Sequence, residues 1–310
     1  MRIAIFSTCI GDAMFPQAPE ATTMLLERLG HDVVFPRGQA CCGQMHINTG
    51  YFHDALPLVR NHVSTFEAVL EGEWDAIVVP SGSCTGSIKH QQAMVARRFG
   101  ESELARKADL IAEKTYDLPV LLTDFLGVED VGAYFPHTLT YHPTCHSLRM
   151  TRVGNRPERL LSHVEGATIL PLPDAEQCCG FGGTFSVKYP EVSGALVSEK
   201  VATIASTGAE VVVADDYSCL MNIYGRMARV GVNVRPMHLA EVLVGTRDTP
   251  WKGPRLAPIT PAKSSRASTS RSAPSSPVRP PGRPVPSSSS DSEPSDNLAP
   301  TPSDGKAGVR

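Results

Sequence analysis

Eight cysteines fall into two matched sets. Cys9, Cys41, Cys42 and Cys84 follow the spacing Cys-x31-Cys-Cys-x41-Cys; Cys145, Cys178, Cys179 and Cys219 follow Cys-x32-Cys-Cys-x39-Cys; no cysteine is left over. Equivalent cysteines lie 136, 137 and 135 residues apart. That near-constant offset indicates an internal duplication. In both sets the adjacent pair is followed by glycine, as Cys41-Cys42-Gly43-Gln44 and as Cys178-Cys179-Gly180-Phe181-Gly182-Gly183. In a reducing compartment, spaced cysteines of this kind are metal or redox ligands rather than structural disulfides.

Four converging thiolates suit either zinc or an iron–sulfur cluster. Structural zinc draws on short-spaced cysteine pairs from tight turns, whereas here only the adjacent pair is close in sequence. Neighbouring cysteines on one loop reach different irons of a cluster more readily than two corners of one small tetrahedron, so a cluster is favoured and zinc stays open. Gly43, Gly180, Gly182 and Gly183 fit the same reading. They let backbone approach a bulky inorganic core and offer N–H groups to its sulfurs. A single buried cysteine often serves as a small hydrophobe, but eight in two matched sets are poorly explained that way. Gly180 through Thr184 lacks the Gly-Lys-Ser/Thr ending of a phosphate loop. His142 and His146 flank Cys145 and are read as packing or hydrogen-bonding groups before ligands. Lys188 and the arginines at 149, 152, 156 and 159 read as a solvated face.

Positioning these cysteines falls to short apolar strands that alternate with helices. Strands are expected at 2–8, 32–36, 75–80, 138–142, 167–172, 209–214 and 233–237. Helices are expected at 19–29, 52–71, 147–163 (interrupted near Gly154 and Pro157), 189–206 and 238–244, with helical segments from 84 to about 126. This order predicts an α/β fold of two pseudo-symmetric Rossmann-like halves with parallel sheets. The boundaries are 1–130 and 131–246, each half one cysteine-rich repeat. Every cysteine follows a strand, where loops beyond the strand C-termini converge on a ligand site.

The chain has 310 residues and 41% hydrophobic content, enough for about two domains. Residues 247–310 hold half of the prolines, ten basic and five acidic residues, and no cysteine. They are expected to form a disordered Ser/Pro-rich tail. The tail's +5 against −3 for the whole chain leaves −8 on residues 1–246, which argues against nucleic acid as a partner. No apolar run has the length of a transmembrane segment. The first residues do not have the form of a signal peptide, so a cytoplasmic location is expected. No flavin or nicotinamide fingerprint and no nucleophile–base pair stands out.

The stretches Leu25 through Gly30, Cys41 through Gln44, Pro80 through Cys84, Cys178 through Lys188 and Cys219 through Ile223 carry a family resemblance. They resemble the cysteine-rich CCG domain found in heterodisulfide reductases and in the iron–sulfur subunits of glycolate oxidase, and more closely the lactate utilization protein A family, over residues 1–245. The resemblance implies iron–sulfur clusters of the 4Fe–4S type, one or two per chain, on Cys9, Cys41, Cys42, Cys84, Cys145, Cys178, Cys179 and Cys219. It further implies an electron-transfer role beside a ferredoxin-like iron–sulfur partner subunit and a third subunit, in a complex that oxidises L-lactate to pyruvate. The alternatives are a thiol/disulfide oxidoreductase subunit of the heterodisulfide reductase kind and a zinc-stabilised structural module. The heterodisulfide reductase motif ends in Cys-x-x-Cys. Ser81 and Asp216 stand where the first cysteine of that ending falls, leaving four thiolates per site, enough for an ordinary 4Fe–4S cluster.

Overall fold

A computed structural model describes residues 1–251. The expected tail from 252 onward lies outside the described residues. Residues 247–251 fold back on the body: Arg247 pairs with Glu165, and the Trp251 indole N–H donates to Glu241 at 3.3 Å.

Eight strands form two four-stranded sheets. The first contains β1 (Arg2–Ile5), β2 (Asp32–Val34), β3 (Ala76–Val79) and β4 (Thr115–Asp117), in the order β2-β1-β3-β4. The second contains β5 (Thr138–Tyr141), β6 (Thr168–Ile169), β7 (Val211–Ala214) and β8 (Arg235–His238), in the order β6-β5-β7-β8. The order is the same in both, and all pairings are parallel. The duplication holds down to single hydrogen bonds. The Phe6 N–H donates to Val78 O at 2.9 Å, and the His142 N–H, 136 residues on, donates to Val213 O at 2.8 Å.

Alternation along the strands explains how the sheets pack. Ile3, Ile5, Ala76 and Val78 from one sheet and Leu139, Tyr141, Val211 and Val213 from the other face a single shared core. The opposite faces are covered separately. Ala4, Phe6, Ile77 and Val79 pack beneath helices Phe52–Phe66 and Ser102–Glu113. Val212 and Ala214 pack beneath helices Pro190–Ser206 and Tyr217–Val230. With both faces covered, the central strands read as continuous apolar runs, as parallel sheets require.

Helix Gln17–Arg28 carries Leu25 and Leu26 into the shared core beside Val242 and Leu243 of helix Leu239–Val244. Arg28 fastens that contact by donating to Val131 O at 2.6 Å and Leu243 O at 2.8 Å.

The expected elements are found with shifted ends, and the 147–163 segment is interrupted where Gly154 and Pro157 place the break, into Cys145–Arg149 and Arg156–Ser162. Short helices Cys9–Met14, Gln44–Ile47 and Phe185–Lys188 are additions to the expected set, and one strand is new. Residues 115–117, expected within a helical stretch, form β4, paired in parallel with β3. Thr-Tyr-Asp has no apolar run to mark it, and it lies at the edge of its sheet.

Candidate metal centres

Strand order 2-1-3 leaves a crevice above the C-terminal ends of β1 and β3, where the chain leaves the two strands in opposite directions. The first quartet occupies that crevice. Cys9 opens a short helix after β1, Cys41 and Cys42 follow β2, and Cys84 sits in the first turn of helix Gly82–His90 after β3. Cys145, Cys178–Cys179 and Cys219 hold the equivalent places after β5, β6 and β7.

All eight thiols are free. Cys9 Sγ lies 3.7 Å from Cys41 Sγ, and Cys42 Sγ lies 3.4 Å from Cys84 Sγ. In the second quartet the Cys179 and Cys219 sulfurs and a ring nitrogen of His142 lie within 4.8 Å of one another. Within each quartet one thiol is driven toward thiolate. Cys41 is pulled down by S–H groups of Cys42 and Cys9, and Cys178 by those of Cys145 and Cys179, while Cys9, Cys42, Cys145 and Cys179 are pushed up as the donors. The Gly43 N–H donates to Cys41 Sγ at 3.5 Å, and the Gly180 N–H to Cys178 Sγ at 3.3 Å.

Both glycines hold a positive φ, +88° at Gly43 and +80° at Gly180, a conformation that costs other residues energy. A Cβ on Gly180 would also come within 2.7 Å of Ser193 O. Gly182 and Gly183 turn the same loop, and a Cβ on Gly183 would lie 3.2 Å from Met45. The two Cys-Cys-Gly loops therefore approach each other. A cleft of about 530 Å³, partly open to solvent, is lined by the first quartet together with Phe181, Asp216 and Tyr217 of the second half.

Ser81 and Asp216 meet each other. Ser81 N-caps the helix that carries Cys84, its Oγ accepting from Cys84 N at 3.3 Å. Asp216 N-caps the helix that carries Cys219, its Oδ1 accepting from Ser218 N at 2.9 Å. Its Oδ2 crosses to the other half and accepts from Ser83 N at 2.8 Å and from Ser81 Oγ at 3.0 Å. One carboxylate thus caps both helices that carry Cys84 and Cys219. Side-chain oxygens at N-caps satisfy otherwise unpaired N–H groups, which gives these two positions a use that a thiol serves poorly.

The donor set fits an iron–sulfur cluster on this structure's own terms. There are four free thiols per site, a backbone N–H on one sulfur of each, and a buried imidazole, His142, with no hydrogen bond of ordinary geometry at either nitrogen. Burial holds that ring down at about 3, so it is neutral. Gln44 gains a role here that the Cys-Cys-Gly-Gln motif alone does not give it. It reaches across to His146, Nε2 to Nε2, at 3.0 Å, and His146 Nδ1 lies 3.5 Å from Cys145 Sγ. Nothing in a linear reading pairs residues 44 and 146.

A family model described as a cysteine-rich domain, CCG, matches residues 3–89 and 139–224, one match per quartet. Lactate utilization protein A of Bacillus subtilis (strain 168) is 44% identical over 243 residues, covering 78% of this chain and 99% of that protein. The chain belongs to the lactate utilization protein A family of CCG-domain proteins. Its members from Exiguobacterium sp. and Geobacillus sp. are 43% and 42% identical over the same length. Among solved structures, glutamate racemase from Francisella tularensis aligns with a TM-score of 0.31 at 12% identity over 78% of each chain, too low to carry an argument. Among the described residues no helix is long and apolar enough to cross a membrane.

Proposed function

We propose that this protein is an iron–sulfur electron-transfer subunit in lactate utilization, serving a complex that oxidises L-lactate to pyruvate. The observation that carries the reading is the pair of free-thiol quartets, each gathered at the crevice of a parallel sheet with a backbone N–H on one sulfur. Cys9, Cys41, Cys42 and Cys84 would hold one 4Fe–4S cluster, and Cys145, Cys178, Cys179 and Cys219 the other; such clusters pass electrons one at a time. In this reading residues 1–130 and 131–246 are the two repeats, each built around one quartet. A ferredoxin-like subunit and a third subunit complete the system, and lactate is the substrate of the whole. The family membership supports the lactate assignment. The caps made by Ser81 and Asp216 favour four-cysteine sites over the five-cysteine clusters of heterodisulfide chemistry.

The reading is tested by adding L-lactate anaerobically to the coloured protein with and without its partner subunits. Bleaching of the cluster absorbance only with the partners present is the expected result. Lactate oxidation by the isolated chain with an artificial acceptor would overturn the carrier role. Colourless protein holding stoichiometric zinc would overturn the cluster.

A further inference from the structure

The two quartets are alike in sulfur and unlike in what surrounds it. The 136-residue offset places His142 over Phe6 and His146 over Ile10. Phe6 sits edge-on to His62 and Phe66, at 5.3 and 5.7 Å, as an ordinary core ring. His142 is as deeply buried, with 1% of its surface exposed, but a ring nitrogen lies within 4.8 Å of the Cys179 and Cys219 sulfurs, and the Ala175 backbone is the other partner its ring meets.

His146 has a partner at each ring nitrogen. With the Gln44 amide oriented as it stands, its N–H₂ donates, so His146 Nε2 accepts, and a neutral ring then carries its proton on Nδ1. That N–H lies 3.5 Å from Cys145 Sγ. A third difference is Lys200. It is wholly buried, donating to Asp174 O at 2.7 Å and Ala175 O at 3.2 Å. Helix Phe52–Phe66, the counterpart of Pro190–Ser206 in the first half, contains no lysine.

We propose that His142 and His146 are N–H donors to the thiolates of the second quartet, and that they set its reduction potential above that of the first. N–H donors to cluster sulfurs stabilise the more negative, reduced state and are among the main determinants of potential. The backbone donors at Gly43 and Gly180 are common to both sites and cancel in the comparison. His142 and His146 have no counterparts at Phe6 and Ile10, and the imidazole that the first quartet has beside it is His46, near Cys41. The duplication has thus kept two ligand sets and differentiated them through the residues at 142 and 146.

This inference rests on the cluster reading, and one set of samples separates the two. Full-length protein is prepared anaerobically with ¹⁵N-labelled histidine, analysed for iron and titrated electrochemically under EPR. Two midpoint potentials are expected, with weak, hydrogen-bond-sized ¹⁵N coupling on the species reduced first. His146→Ile and His142→Phe each restore the first-half residue. Each should move the higher midpoint down, leave the lower one in place and retain iron. His142→Gln, which keeps an N–H donor, should recover part of the shift.

If either replacement fails to fold, the coupling in wild-type protein decides. Iron at full content with no histidine coupling would overturn the inference and leave the cluster reading standing. So would a shift confined to the lower midpoint, or strong coupling from directly bound nitrogen. Absence of iron would overturn both.

Discussion

At the residue scale, Asp216 carries a sharp expectation. It accepts hydrogen bonds at the start of two helices, one in each half. Losing a cap costs on the order of 1 kcal/mol. Asp216→Ala should therefore lower unfolding stability by about 2 kcal/mol, and Asp216→Asn, with one acceptor oxygen, by less; chemical denaturation at fixed pH measures both.

Asp215, buried and accepting from Tyr141 OH at 2.6 Å, offers a test by pH. Burial pushes its carboxyl up to about 8 from an ordinary 3.8. The folded state then holds a proton that the unfolded chain has released. Stability from this group is present at low pH and falls by roughly 1.4 kcal/mol per unit as pH rises toward 8. Comparing metal-free wild type with Asp215→Asn at pH 6.5 and pH 8 should show a loss in wild type that the variant lacks; parallel losses would contradict the assignment.

The two cysteine quartets that the structure gathers are legible in the sequence. Adjacent Cys-Cys-Gly pairs, matched spacing and an even count leave few other readings. The Ser81–Asp216 and Gln44–His146 contacts are not legible there. They join residues 135 and 102 positions apart, through side chains that look like ordinary caps and polar loops.

At the element scale, the strands that position the cysteines announce themselves because they are buried on both faces. Ala-Ile-Val-Val at β3 and Val-Val-Val-Ala at β7 are uninterrupted apolar runs. β4 lacks that signal. Its counterpart β8 is expected as a strand, so the duplication offers a clue that local composition does not. Asp117, at the end of β4, is buried beside Thr85 and Thr151, and an acidic residue of this kind does not mark a strand in the sequence.

Helix contacts tie the halves together. Arg28 of the first half holds two carbonyls of the second, at Val131 and Leu243. Hydrogen bonds from a charged donor contribute roughly 1.5–3 kcal/mol. Arg28→Ala should lower stability within that range, read as a fall in the denaturation midpoint. An unchanged midpoint would mean that the shared core alone fastens helix Leu239–Val244.

At the scale of the whole molecule, the shared core makes the two repeats interdependent. Each sheet commits one face to it, so separating the halves would uncover Ile3, Ile5, Leu139 and Val211 together. The composition break at 246 falls slightly short of the folded body, because Arg247 and Trp251 are polar-flanked residues whose partners, Glu165 and Glu241, lie in the second half. Removing residues 252–310 should leave iron content and thermal midpoint unchanged. Removing residues 247–310 should lower the midpoint by the loss of these two anchors. Equal midpoints in the two truncations would show that the anchors contribute nothing.

The central claim is that each of the two quartets holds an iron–sulfur cluster. Iron and acid-labile sulfide are to be counted in anaerobically purified wild type, Cys41→Ser and Cys178→Ser. The account predicts about eight irons per chain in wild type and about four in each variant, with the surviving signal differing between the two. Stoichiometric zinc with no iron or sulfide, before and after anaerobic reconstitution, would contradict it.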